Sequence, residues 1–145
     1  MVEGSQIDSA CHNNDPNQMF RQVRAFDEAV HAAVDFARLD SHTLVIVTAD
    51  HETGGLEIVT PKAPAKAKTT TITTADPNED DDYQDPNAMV LNLKWTGKDH
   101  TGLPVPLYAF GPGCLEFTGV IDNTQVPQRI ARLLGIRGFP RSLGR

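Results

Sequence analysis

A long amphipathic segment that runs straight into an uninterrupted apolar strand constrains this 145-residue chain more than any other feature. Asp15, Pro16 and Gln18 read as an N-cap, a proline at the first helical position and a polar residue at the third. Apolar side chains then recur at Met19, Val23, Phe26, Val30, Ala33, Val34 and Ala37. That spacing predicts a helix over residues 16–39 with one buried stripe. Ser41 and His42 form a turn, and "TLVIV" at residues 43–47 reads as a strand. Its apolar run is continuous, which favours coverage on both faces, as in a parallel sheet packed by helices. The expected fold class is therefore α/β, with part of a mixed, largely parallel sheet packed by helices.

The remaining organisation is consistent with a single partial domain over residues 1–145. Residues 60–88 are rich in proline, lysine, threonine and acidic side chains, and read as a low-complexity variable loop with a solvated acid run at 79–82. In "MVLNLKW", Met89, Leu91, Leu93 and Trp95 alternate as a half-buried strand does. "TGKDHTG" is a polar loop, residues 105–110 form another strand, and "GPG" closes it. Asp122 or Asn123 can cap a final helix bearing Val126, Ile130, Leu133 and Leu134, with Gly135 as its stop. Pro127 is tolerated near its start. The order is short for a complete doubly wound sheet.

A net charge of −6, with basic residues scattered rather than striped, gives no electrostatic reason to expect nucleic acid. No apolar run is long enough to cross a bilayer, and the polar, acidic opening is not a signal peptide. Cys11 and Cys114 are expected to be unpaired.

Three polar clusters sit where elements end. Glu3, Asp8 and His12 lie in "EGSQIDSACH", Asp50 and His51 in "VIVTADHETGG", and His100 in "KDHTG". Carboxylates with imidazoles suit zinc, while carboxylate-rich sites suit magnesium. Asp8 and His12 are four apart, so one helical turn or a tight loop aims both the same way, and His100 supplies a third ligand. The competing reading is an ion pair or capping interaction at the surface. Asp50 and His51 are adjacent, and neighbours on a strand point to opposite faces, so both reach one metal only if the backbone turns between them. A plain polar strand end explains them equally well. His31 and His42 read as surface residues. None of Ser5, Ser9, Ser41 or Ser142 sits in a nucleophile elbow, and neither a phosphate-cradling glycine loop nor a dinucleotide fingerprint is present.

Taken together and in order, "MVEGSQIDSACHNND", "VTADHETGG" and "DHTG…VPLYAFGPG…EFTGVIDNT" resemble the C-terminal metal-binding segments of the alkaline phosphatase family. The resemblance implies a sheet sandwiched by helices, truncated here at its N-terminus, and hydrolysis of phosphate monoesters through a phosphoserine. It implies two zinc ions and one magnesium ion. By motif, Asp8, His12 and His100 match ligands of the first zinc, Asp50 and His51 ligands of the second, and Glu3 a magnesium ligand. The family's serine nucleophile, a bridging aspartate and a phosphate-binding arginine lie upstream of the segment matching residues 1–12, so they are expected outside this sequence. Members are commonly homodimers and often periplasmic or secreted. Cys11 stands where small residues are usual, next to a ligand, and could compete as a soft ligand or oxidise. The resemblance thus implies the metal-binding portion of a phosphatase that lacks turnover on its own and either self-associates or joins a missing N-terminal segment. The alternative is a non-catalytic metal-binding or assembly module that complements a separate chain.

Overall fold

The first long helix begins where its cap is made. Asp15 accepts the Gln18 N–H at its Oδ1 (2.9 Å) and the Met19 N–H at its carbonyl (3.0 Å). Helix α2 then runs over Pro16–Asp40, close to the predicted span, after a shorter α1 at Ser5–His12. The structure is a computed structural model that describes residues 1–59, 70–72 and 89–140. The predicted variable loop at 60–88, with its acid run, otherwise lies outside the described residues, as do the side chains of Met89 and Leu91.

The strands are β1 (Val45–Thr48), β2 (Glu52–Thr53), β3 (Glu57–Ile58), β4 (Thr70–Ile72), β5 (Met89–Leu91), β6 (Leu93–Lys94), β7 (His100–Thr101) and β8 (Leu107–Phe110). They pair as β1–β8, β2–β7, β3–β6 and β4–β5, each pair enclosing the next in sequence. Every pairing is antiparallel, so the expectation of a largely parallel sheet is wrong. The reason lies in what an apolar run encodes. Val45, Ile46 and Val47 are all half-buried, as the continuous run required, but burial on both faces does not fix the direction of the neighbouring strand. That direction is set here by the chain doubling back, which aligns Val45 with Phe110 and Thr48 with Leu107. The α/β character itself stands.

The chain groups into two units that share α2. One comprises Met1–Ala29 with His51–Pro104, the other Val30–Asp50 with Val105–Arg145. In the first, Ala10 and Cys11 of α1 are buried, and the missing side chain of Gly54 (φ +87°) makes room for Trp95. A Cβ there would lie 2.7 Å from the indole and 3.3 Å from the Cys11 carbonyl. The same residue ties the polar loop down, since its N–H donates to the Asp99 carbonyl (2.9 Å) and its carbonyl accepts from Thr96 and Gly97 (both 3.0 Å). Leu93 and Trp95 are half-buried around exposed Lys94, the alternation read from sequence.

In the second unit, Asp40 closes α2 by accepting the Thr43 hydroxyl (2.6 Å) and the His42 N–H (3.1 Å), and β1 follows. Buried side chains are few: Ala37, Phe117 and Ala131. The "GPG" turn leads into a 3-10 turn at Cys114–Phe117, which the sequence pattern did not reveal. Helix α3 spans Gln125–Leu133. Asp122 does not cap it directly but folds a turn ahead of it, with its Oδ1 accepting both the N–H (2.9 Å) and the hydroxyl (2.6 Å) of Thr124. Gly135, at φ +67°, ends the helix as expected.

Two glycines with positive φ separate strain from sterics. At Gly111 (φ +103°) a Cβ would sit 2.2 Å from the Thr43 main-chain oxygen, whereas at Gly119 (φ +80°) nothing lies within 4 Å. Gly119→Ala should cost only the left-handed penalty, about 1–2 kcal/mol. Gly111→Ala adds a clash that no rotamer relieves, and should cost about 3 kcal/mol or more. Denaturant midpoints of the two variants check this; equal losses would contradict the steric assignment.

Candidate metal centre

Helix α1 presents Asp8 and His12 one turn apart on the same face, with Asp8 Oδ2 3.3 Å from His12 Nε2. The His12 ring is held from behind, because its Nδ1–H donates to the Lys98 carbonyl. That bond fixes the tautomer and puts the ring's lone pair on Nε2. Two residues beyond Lys98, β7 delivers His100, whose Nε2 lies 3.1 Å from His12 Nε2 and 3.5 Å from Asp8 Oδ1. Zinc bonds of about 2.0–2.1 Å in a tetrahedron place neighbouring ligand atoms roughly 3.3 Å apart. The separations of 3.1, 3.3 and 3.5 Å bracket that figure. These donors therefore fit zinc both chemically and in spacing. Their side chains are 37–49% exposed, which leaves the cluster open to solvent on one side.

The support for this cluster comes from β2, whose two residues face opposite ways. Thr53 pairs with His100 and Glu52 with Thr101. Thr53 is 7% exposed, and its hydroxyl donates to Asp8 Oδ1 at 2.6 Å. On the back, Glu52 accepts the Thr101 hydroxyl and the N–H groups of Gly55 and Leu56 (both 3.2 Å). A two-residue ladder is weak alone, so this carboxylate clamp is what keeps β7 in register. The Thr53 hydrogen bond holds the Asp8 carboxyl below the usual carboxylate range; slight desolvation opposes it, and His12, His100 and His51 reinforce it. Asp8 is thus an anionic acceptor well into mildly acidic solution.

The His51 ring stacks on His100, with centroids 3.5 Å apart and planes 20° from parallel, and its Nδ1 lies 3.2 Å from Thr53 Oγ1. Glu3 is exposed ahead of α1, and Asp50 is exposed in the other unit. Among the described residues, Asp8, His12 and His100 form one group of three potential ligands, and neither Glu3, Asp50 nor His51 belongs to a second such group. His31 and His42 are exposed. Cys11 and Cys114 are both free; burial, with Asp8 and Glu52 nearby, pushes the Cys11 thiol up, so it stays protonated rather than acting as a soft ligand. Sequence reasoning missed Thr53, Glu52 and the Lys98 carbonyl. Only the alternation of "ET" against "HT" hinted at them, and the register that gives it meaning is a property of the folded ladder.

An α/β chain with a carboxylate and two imidazoles at metal-ligand spacing has the makings of a metal-dependent hydrolase relative. The family profile described as "Alkaline phosphatase" matches residues 1–136, and the chain belongs to that family. It is 36% identical to alkaline phosphatase 4 of Bacillus subtilis (strain 168) over 179 residues, covering 92% of this chain and 39% of that protein. It is also 36% identical to streptomycin-6-phosphate phosphatase of Streptomyces griseus over 140 residues, covering 94% of this chain and 29% of that one. The solved alkaline phosphatase from the Antarctic bacterium TAB5 superposes with a TM-score of 0.70 at 29% identity, over 92% of this chain and 34% of that structure. The chain therefore spans well under half the length of these relatives. No helix among the described residues is long and apolar enough to cross a membrane.

Proposed function

We propose that the chain is the C-terminal, metal-binding portion of a phosphate monoester hydrolase. Asp8, His12 and His100 hold a zinc ion, Asp50 and His51 contribute to a second zinc, and Glu3 to magnesium. The observation that carries this reading is the convergence of Asp8, His12 and His100 with all three contacts near tetrahedral ligand spacing. Zinc in such a position supplies Lewis acidity toward phosphate oxygens. The chain's own contribution is to hold the donors ionised and oriented: Thr53 keeps Asp8 an anion, and the Lys98 carbonyl keeps His12 Nε2 basic.

The nucleophile comes from outside this sequence. Among the described residues the hydroxyl that bonds to the triad is that of Thr53, and its proton is already committed to Asp8. The substrate class is phosphate monoesters, with inorganic phosphate as product ligand. The purified chain should retain zinc on metal analysis yet hydrolyse an aryl phosphate at no more than the background rate. Rapid hydrolysis by the chain alone would remove the claim that the nucleophile lies elsewhere. Absence of stoichiometric zinc would instead leave an α/β domain whose polar clusters only cap its elements.

A further inference from the structure

Thr53 is a buried polar side chain in direct contact with two residues of the cluster, and no metal-binding motif contains it. We infer that Thr53 is a positioning residue: its single hydroxyl proton goes to Asp8, which obliges His51 to carry its hydrogen on Nδ1 and its lone pair on Nε2. This rests on the reading of Asp8, His12 and His100 as metal ligands, and extends it to a residue that touches no metal.

The assignment follows from donor bookkeeping. A threonine hydroxyl has one proton and two lone pairs, while an ionised carboxylate only accepts. At 2.6 Å, the Thr53–Asp8 contact is in the range of a charge-assisted O–H···O⁻ bond, so the proton lies between Oγ1 and Oδ1. The 3.2 Å contact from His51 Nδ1 to the same oxygen is then a hydrogen bond only if the ring nitrogen donates. Thr53 is 7% exposed, which keeps water from substituting for either partner. Its place on β2, directly across from His100, fixes its height over the cluster. His12 receives the same tautomer from a separate partner, the Lys98 carbonyl. One hydroxyl and one carbonyl thus leave two imidazoles with basic Nε2 atoms, and a single side chain links the Asp8 carboxylate to a histidine 43 positions further along the sequence.

The test uses the whole chain and its Thr53→Val and Thr53→Ser variants, the first isosteric without the hydroxyl, the second retaining it. Long-range proton–nitrogen correlations of the metal-free wild type should show neutral His51 as the Nδ1–H form, with Thr53→Ser alike and Thr53→Val shifted toward Nε2–H. Cobalt(II), titrated alone and followed by its visible d–d bands, should bind Thr53→Val about 10–100-fold more weakly than wild type, with altered bands. Thr53→Ser should bind close to wild type. A wild-type His51 carrying Nε2–H overturns the inference without any variant, as does unchanged cobalt affinity in a folded Thr53→Val. If the wild type binds no cobalt, the ligand reading fails, while the tautomer measurement still decides the Thr53–His51 link on its own.

Discussion

His100→Ala is expected to reduce zinc affinity by at least about 100-fold, equivalent to about 2.7 kcal/mol of binding free energy. His100 is the one member of the triad that does not come from α1, and its Nε2 makes contacts to both other donors. Without it, Asp8 and His12 remain as an i, i+4 chelate on one short helix, too few ligands for a tetrahedral site. The side chain is exposed, so its loss leaves no cavity. The metal-free variant should melt with wild type, whereas the upward shift in melting temperature that zinc gives wild type should vanish. Competition with a chromophoric chelator measures the affinity, and His31→Ala, at an exposed residue outside the triad, is the control. A His100→Ala protein that holds zinc as tightly as wild type would show that the three donors do not act together.

The second large effect concerns catalysis. Co-expression with the upstream part of an alkaline phosphatase that carries the serine, aspartate and arginine absent from these motifs should raise aryl phosphate turnover at least about 1,000-fold over either piece alone. Covalent catalysis needs an activated nucleophile, and its removal from hydrolases costs up to about six orders of magnitude. Surfaces suited to a partner are present within the second unit. Strands β1 and β8 each have one neighbour among the described residues, and Leu39, Leu115 and Val120 are 90%, 81% and 98% exposed. Open strand edges and uncovered apolar side chains favour pairing with another chain. Alone, the chain should therefore self-associate, and light scattering that returned the mass of one chain would count against it. Copurification of the two pieces with turnover still at background would favour a non-catalytic, metal-binding module.

Much of the scaffold was legible because it depends on local rules. The Asp15 cap, the apolar stripe of α2 and the Gly135 stop are fixed by residues within a turn or two of one another. Strand direction was not, because the run at residues 43–47 records burial and carries no information on which way its partner travels. The donors Asp8, His12 and His100 stood out through three separate motifs. Their supports did not, since a threonine and a glutamate in "HETGG" are unremarkable until the Thr53–His100 register places one on the cluster and the other behind it. The magnesium and second-zinc assignments of Glu3, Asp50 and His51 depend on resemblance, and the geometry of the described residues gathers only the first triad.

His12 and His100 are 88 positions apart, which gives the site an order of construction. During synthesis at about 5–20 residues per second, His100 follows the α1 donors by roughly 4–18 s. In that interval Asp8 and His12 ride on a helix of eight residues, a length that is marginal without tertiary support. The pairing of β2 with β7 brings the last donor and the Lys98 carbonyl together, so tautomer and third ligand arrive in one event. Metal capture thus belongs to the finished chain rather than the nascent one, and the ribosome's product is committed to its fold before it is committed to its ion.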